Sequence, residues 1–492
     1  MTKKNTAILF DEDKKNSFSE WYNKILVCAD IIDKTYPVKG MPVYKKDGYF
    51  IHSQIMKMIE HKWNKSGHVQ VQFPLLIPKT LLDSEKEHMD GFHCEVFWVT
   101  KSSEKILDVP LALRPTSETA MYPIFKEWIR SYNDLPLKVH QTCCIYRCET
   151  KSTLPLIRGR EVPWNEAHTC HRTKDDALVC LEDAWKYYLE LFDEIGINGV
   201  KLTRPEWDKF AGGEHTEVMD AVLPSGKLLQ IVGAHYLGQK FSKAFDIKFL
   251  DDDNNTKNPY MTCYGISMRV MATCISSHGD NLGLILPSIV APVQVVIVPI
   301  ITKNKEKQLS IKNYVDEIVN VLKSDNIRVI VDTSNKRPGE KYYYWEMKGV
   351  PLRFEIGFRE SQNKMITVKQ RAYPDKTNIN MNCDSDIIGF TRRLLKMNDN
   401  SIKKASSEQF NLSVSIASSV QEVVDIINEK GGFVKVPFYT FGIEGKTEND
   451  IINSAVGAEI RGFVLSEKVP DNEVCIFTGK PAVTYAYIGK AY

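Results

Sequence analysis

Between Tyr49 and Gly67 the apolar residues Ile51, Ile55, Met58, Ile59 and Trp63 recur every three or four positions, which predicts an amphipathic helix that stops at Gly67. "HVQVQFPLLIP" (68–78) then alternates with the period of a strand until Pro74 and Pro78. The same two periods predict a helix in "SETAMYPIFKEWIRSY", a strand in "LKVHQTCCIYRCE", a strong helix over 174–196, and strand, turn and strand over 226–251. Strands separated by hairpins and not by regular crossovers, as far as residue 288, point to an α+β domain on an antiparallel sheet. After Pro292 the texture changes. "VQVVIVPI" is a continuous apolar strand, "SIKNYVDEIVNVLKSDN" an amphipathic helix and "IRVIVD" a strand; helix "YYYWEMKG", strands "VPLRFEIG" and "KMITVKQRA" and helix "IIGFTRRLLKM" follow. Strands joined through helices predict an α/β module with a largely parallel sheet over 289–398. Polar "NDNSIKKASSEQ" leads into a third, small α/β segment, 399–492.

Composition changes this picture little. At about 150 residues per domain, a chain of 492 residues is two to four domains. With 43% hydrophobic and 26% charged residues it can bury a sizeable core, which excludes a disordered chain. A net charge of +2 neither demands nor forbids a nucleic-acid partner, because a local basic face is invisible in the total. The N-terminal stretch lacks the apolar core of a signal peptide, and the apolar run 281–300 is broken by Pro287 and Pro292, so no membrane association is expected. Eleven cysteines without a repeating frame argue for reduced thiols in a cytoplasm.

The candidate chemistry is concentrated charge. "CCIYRCETKSTLPLIRGREVPW" (143–164) places Arg147, Glu149, Arg158, Arg160 and Glu161 on two arms of one hairpin. Arg and Glu are rarely buried unpaired, so they face water or grip an anion. "LALRPTSETAMY" adds Thr116 and Glu118 between a strand and a helix, "LLQIVGAHYLGQKF" adds Gln230 and His235, and "YGISMR" adds Arg269 at a helix start. Taken singly, Trp164 also reads as core, and His168 and His235 as satisfied structural histidines. "HTCH" (168–171) has no second cluster at zinc-finger spacing, and Cys143, Cys144 and Cys148 lack a C-x-x-C interval, so no metal site is expected there.

In this order the segments resemble the three signature motifs of the class II aminoacyl-tRNA synthetases, most closely the prolyl-tRNA synthetases of the archaeal and eukaryotic type. Helix 49–66 with "VQFPLLIP" is similar to motif 1, "YRCE…RGRE" to motif 2 and "GISMR" to motif 3, while "RPTSET", "HYLGQKF", "HGDNLGL" and "WEMKGVPLRFEIG" are similar to stretches of the prolyl enzymes. The resemblance covers essentially the whole chain. It implies a class II catalytic domain (1–288), an anticodon-binding domain (289–398) and a C-terminal domain (399–492). The implied activity is proline–tRNA ligase: L-proline and ATP give prolyl-adenylate, and the prolyl group passes to tRNA(Pro). The resemblance assigns Arg147 and Arg269 to catalysis and Arg147, Glu149, Arg158, Gln230 and Arg269 to ATP. Thr116, Glu118, Arg147, Trp164, His168 and His235 would bind proline, and Glu346, Arg353, Arg359 and Glu360 would read the anticodon. Magnesium would accompany ATP, and motif 1 would form a homodimer interface.

Departures from the family pattern matter as much as the likeness. Gly233 stands where threonine is usual and Val162 where a larger residue is common, which implies a wider pocket and keeps open a duplicate synthetase with altered analogue or inhibitor tolerance. Met268 and "GFRE" (357–360) also depart from the pattern. Only Cys475 remains of the four cysteines that bind zinc in many relatives, and one thiolate cannot close a tetrahedral site, so no structural zinc is expected. The stretch from His168 to Gly265 is too short for an added hydrolytic domain, which leaves discrimination to the pocket. A non-catalytic relative that binds tRNA is the remaining alternative; retention of Arg147, Glu149, Arg158 and Arg269 argues against it.

Overall fold

The computed structural model describes residue 10 and residues 12–83, 96–148, 153–373, 376–380 and 384–492, with side chains outside 374–386. Its centre is an eleven-stranded sheet. From one edge the catalytic strands run Val69–Gln70, Leu137–Tyr146, Glu161–His171, Tyr260–Ser267, Leu228–Gly238, His215–Val222 and Val200–Thr203. All neighbours in this run are antiparallel except the first pair. The predicted strand over 68–78 survives only as Val69–Gln70 and Leu76–Pro78. Proline has no N–H for a ladder, which accounts for the break around Pro74.

Helices cover the back of the sheet. Helix Lys174–Ile195 shows why the sequence folds there: Thr173 caps its start by accepting from the Asp176 N–H, and Gly196 closes it at φ 70°. Its buried residues Ala177, Leu181, Ala184, Tyr188, Leu191 and Ile195 form one stripe. That stripe joins helices Phe18–Cys28, Lys46–Lys65 and Arg269–His278 in one apolar core. Each large aliphatic or aromatic side chain fully buried there contributes about 1.5–3 kcal/mol.

The second module holds a five-stranded sheet. Strands Val329–Val331, Val295–Pro299 and Leu352–Ile356 are parallel, joined through helices Lys305–Ser324 and Pro338–Met347. Met365–Gln370 and Lys376–Asn380 are antiparallel additions, so the sheet is mixed where a largely parallel one was predicted. The six-residue helix Phe358–Asn363 is too short for a crossover, and the chain reverses.

The polar stretch predicted as a connection is helix. Asp384–Leu412 is one 29-residue helix running through residue 398, with Asn398 and Ser406 buried. It straps the modules together: Asp399 accepts from the Ser288 N–H (2.7 Å), Lys403 pairs with Asp193 (2.8 Å), and Asn198 donates to Ser406 (3.0 Å). The last segment, strands Val414–Ile416, Phe433–Phe438, Glu459–Phe463 and Thr484–Gly489 with helices Val420–Glu429 and Lys446–Val456, does not form a separate sheet. Phe463 pairs with Thr203, so the catalytic sheet runs on into it.

Candidate functional site

The register of the catalytic sheet lays functional side chains in rows. On strand Glu161–His171, Trp164, Glu166 and His168 alternate onto one face. Across the sheet Glu166 lies between Gln141 and Gly265, and Gly265 pairs with Gly233. One step along, His168 pairs with Cys263, Cys263 with His235 and His235 with Thr216. Ile231 is an extra residue, a bulge between the pairs Met219–Val232 and Asp220–Gln230. It turns Gln230 onto the face of Gly233 and His235, as bulges beside functional sites do.

These rows floor a cavity of about 440 Å³. Nine of the ten predicted catalytic-domain residues line it: Thr116, Glu118, Arg147, Arg158, Trp164, His168, Gln230, His235 and Arg269. Glu149 lies outside the described residues. Val162 and Gly233 also line the cavity.

One end is acidic and buried. Thr116 and Glu118 stand at the start of helix Glu118–Trp128, where the Thr116 hydroxyl donates to Glu118. A carboxylate at a helix N-terminus is favoured by the helix dipole. Glu166, buried, accepts from Ser117 and from Gln141 (2.8 Å) and pairs with His168 Nε2 (3.1 Å). Tyr122 Oη meets His168 Nδ1 at 3.0 Å. Burial alone would push His168 down, but its hydrogen bond to Glu166, the Glu166 charge and the Glu118 charge hold it above the usual histidine value. Burial likewise opposes ionisation of Glu166, and His168, Ser117 and Gln141 overcome it, leaving Glu166 below the usual carboxylate value. Each partner thus favours the charged form of the other. His235 is the opposite case. Burial, reinforced by His168, pushes it to about 4, so it is neutral, 3.0 Å from Thr216 Oγ1 and 4.9 Å from the Phe210 ring.

The other end carries guanidiniums. Arg269 Nε donates to the Ile157 carbonyl (2.9 Å) and Nη1 to that of Gln230 (3.2 Å), and Arg147 Nε donates to that of Pro115 (3.4 Å). Three guanidiniums gathered at one end of the cavity suit a phosphate or carboxylate. Between the ends, a Cβ on Gly265 would meet the Trp164 ring at 3.5 Å, and one on Gly233 would meet Gln230 Nε2 and His235 Nε2 at 3.2 Å. The two glycines leave a flat floor.

Sequence reading missed Glu166, although the alternation that exposes Trp164 and His168 on one face includes it. It also missed Phe210, Arg204 and Arg461, which line the cavity from elements far apart in the chain. In the second module Glu346 and Arg353 meet at 2.8 Å, Glu360 caps the Gly357 N–H (2.9 Å) and Arg359 is exposed. Cys475 is packed with Phe438 and Phe463 in an apolar cluster, its turn held by Gly479 N–H to the Cys475 carbonyl (2.9 Å).

Sheet, cavity and modules together are those of a class II tRNA synthetase. Residues 97–278 match the family model for the class II core domain (G, H, P, S and T), 294–385 that for the anticodon-binding domain, and 420–492 that for the prolyl-tRNA synthetase C-terminal domain. A proline–tRNA ligase of Methanosarcina mazei is 40% identical over 97% of this chain and 98% of its own length. That of Methanocaldococcus jannaschii is 43% identical over 88% and 96%. The Giardia lamblia prolyl-tRNA synthetase solved with prolyl-adenylate superposes with a TM-score of 0.96 at 41% identity, covering 98% of this chain and all of that one. The Cryptosporidium parvum enzyme with L-proline and AMP gives 0.91 at 32%, covering 100% and 99%. The chain belongs to the proline–tRNA ligase family.

Proposed function

We propose that this cavity joins L-proline to the α-phosphate of ATP and that the chain then transfers the prolyl group to tRNA(Pro). The observation that carries the reading is one cavity with a buried carboxylate at one end and guanidiniums at the other. Glu118 and Thr116 accept from the secondary ammonium of proline. Trp164 and neutral His235 wall the ring, and His168, held by Glu166, completes that wall. Arg147 meets the proline carboxylate and the α-phosphate, and Arg158 and Arg269 hold the polyphosphate. A proline oxygen attacks the α-phosphorus as the bond to the β-phosphate oxygen breaks, and pyrophosphate leaves. No general base is required because the nucleophile is already an anion; alignment and charge neutralisation supply the catalysis. A ribose hydroxyl of the tRNA 3′ end next attacks the prolyl carbonyl, loses its proton and releases AMP. Magnesium arrives with the ATP phosphates and keeps most of its waters, so it is part of the nucleotide substrate.

Glu346, Arg353, Arg359 and Glu360 are proposed to contact anticodon bases, where single-stranded loops offer exposed edges. Val69, on the edge strand of the eleven-stranded sheet, is an exposed apolar residue, as are Leu75, Leu76 and Ile106 in and beside a separate three-stranded sheet, which supports a homodimer through the motif 1 region. Nine described cysteines are free thiols, which supports a reducing cytoplasm, and no described helix is long and apolar enough to cross a membrane. The test is charging: radiolabelled proline should become acid-precipitable on a tRNA(Pro) transcript, and not on one with a substituted anticodon. Failure to charge either would end the reading.

A further inference from the structure

Three buried charges meet where the C-terminal segment joins the catalytic sheet. Asp220 on strand His215–Val222 has no exposed surface. Its Oδ1 accepts from Arg204 Nη2 (3.2 Å) and its Oδ2 from Arg461 Nε (2.8 Å). Arg204 Nη1 donates to the Arg461 carbonyl (2.7 Å), and Arg461 Nη1 donates to Glu459 (3.0 Å). Arg461 lies two residues before Phe463, whose pairing with Thr203 joins the two parts of the sheet. Both arginines reach the cavity wall.

The consequence falls on Gln230. Arg204 Nη2 also donates to Gln230 Oε1 (3.0 Å). A guanidinium has only donors, so the amide must turn its oxygen to Arg204. The amide nitrogen is left on the cavity side, within 3.2 Å of where a Gly233 Cβ would stand. We infer that Arg461 and Asp220 are positioning residues that hold Arg204 so that Gln230 presents an N–H donor to an acceptor oxygen or nitrogen of the bound nucleotide. The C-terminal segment thereby completes the nucleotide end of the cavity. Removing Arg461 leaves Asp220 with Arg204 alone, which draws Arg204 from Gln230 and frees the amide to rotate. This inference rests on the reading of the cavity as an ATP and proline site.

The test is proline-dependent ATP–pyrophosphate exchange with the full chain. Arg461→Met is expected to raise the KM for ATP about tenfold with the KM for proline within about twofold, and Arg461→Lys to recover part of the loss. In a Gln230→Ala background, whose own KM for ATP is raised, Arg461→Met is expected to add less than about twofold, since the two act through one amide. If Arg461→Met does not fold, Asp220→Asn takes its place in the same cycle. An equal rise in both KM values, or a full tenfold effect retained without Gln230, overturns the inference while leaving the reading of the site intact. Absence of proline-dependent exchange in the unaltered protein overturns both.

Discussion

Two regions of the molecule hold arginines in different ways. In the catalytic cavity Arg269 donates to the carbonyls of Ile157 (2.9 Å) and Gln230 (3.2 Å), and Arg147 to that of Pro115 (3.4 Å). In the anticodon-binding module Arg353 is held by Glu346 (2.8 Å) and Glu355 (3.1 Å), with Tyr342 4.0 Å over its guanidinium. A carbonyl aims a guanidinium through its dipole, and a pair of carboxylates aims it and offsets its charge as well. On the proposed function, the first arrangement would meet a polyanion and the second a neutral base edge. Arg204 and Arg461 are the exceptions, cavity arginines tied to Asp220, and Arg204 also donates to Gln230 (3.0 Å).

The largest effect expected from this contrast is at Arg269. Arg269→Ala should lower the exchange rate about 100- to 1000-fold, the usual cost of one lost donor to a developing anion, and a change below tenfold would place Arg269 outside the reaction. Next is Glu118→Gln, which removes the buried negative charge proposed to meet the proline ammonium. It should raise the KM for proline about 30-fold or more and leave that for ATP unchanged; parallel changes would make Glu118 a folding residue. Arg353→Gln should leave exchange untouched and raise the KM for tRNA about tenfold in charging, whereas unaltered charging would reduce Arg353 to packing.

The His168–Glu166 pair predicts a pH signature. His168 is raised above 6.5, so its contribution to stability is complete below that pH and is lost as pH rises through the elevated value. Glu166 is depressed below 4.5, so its contribution is complete above that pH and is lost as pH falls through the lowered value. Melting temperature should therefore be highest between these limits, and the difference between the unaltered protein and Glu166→Gln should shrink on both sides. A difference independent of pH would show the pair to be uncharged. The smallest effect belongs to Gly233→Thr, whose Cβ would press on Gln230 and His235 at 3.2 Å. A few-fold change in the KM for ATP or proline, read by exchange, measures how much width the glycine supplies, and identical constants would end the idea of an altered pocket.

Legibility in the sequence followed how local the cause was. Helix Lys174–Ile195 was readable because its cap, stripe and stop lie within one window. The first part of Asp384–Leu412 was readable as the helix "IIGFTRRLLKM", but its polar continuation was not, because that part folds through bonds to Ser288, Asp193 and Asn198 far away in the chain. Trp164 and His168 were found through motifs, and the alternation that pairs them should have added Glu166. Gln230 was named by resemblance alone; the bulge at Ile231 that aims it leaves no mark in residue order. Arg461 carried no signal, since its role depends on a strand pairing between distant segments.

The account stands most directly on ATP–pyrophosphate exchange by the purified protein, assayed across proline and other small amino acids. It predicts exchange that requires proline and collapses in Arg269→Ala. Exchange driven equally by another amino acid, or none with proline, would contradict it.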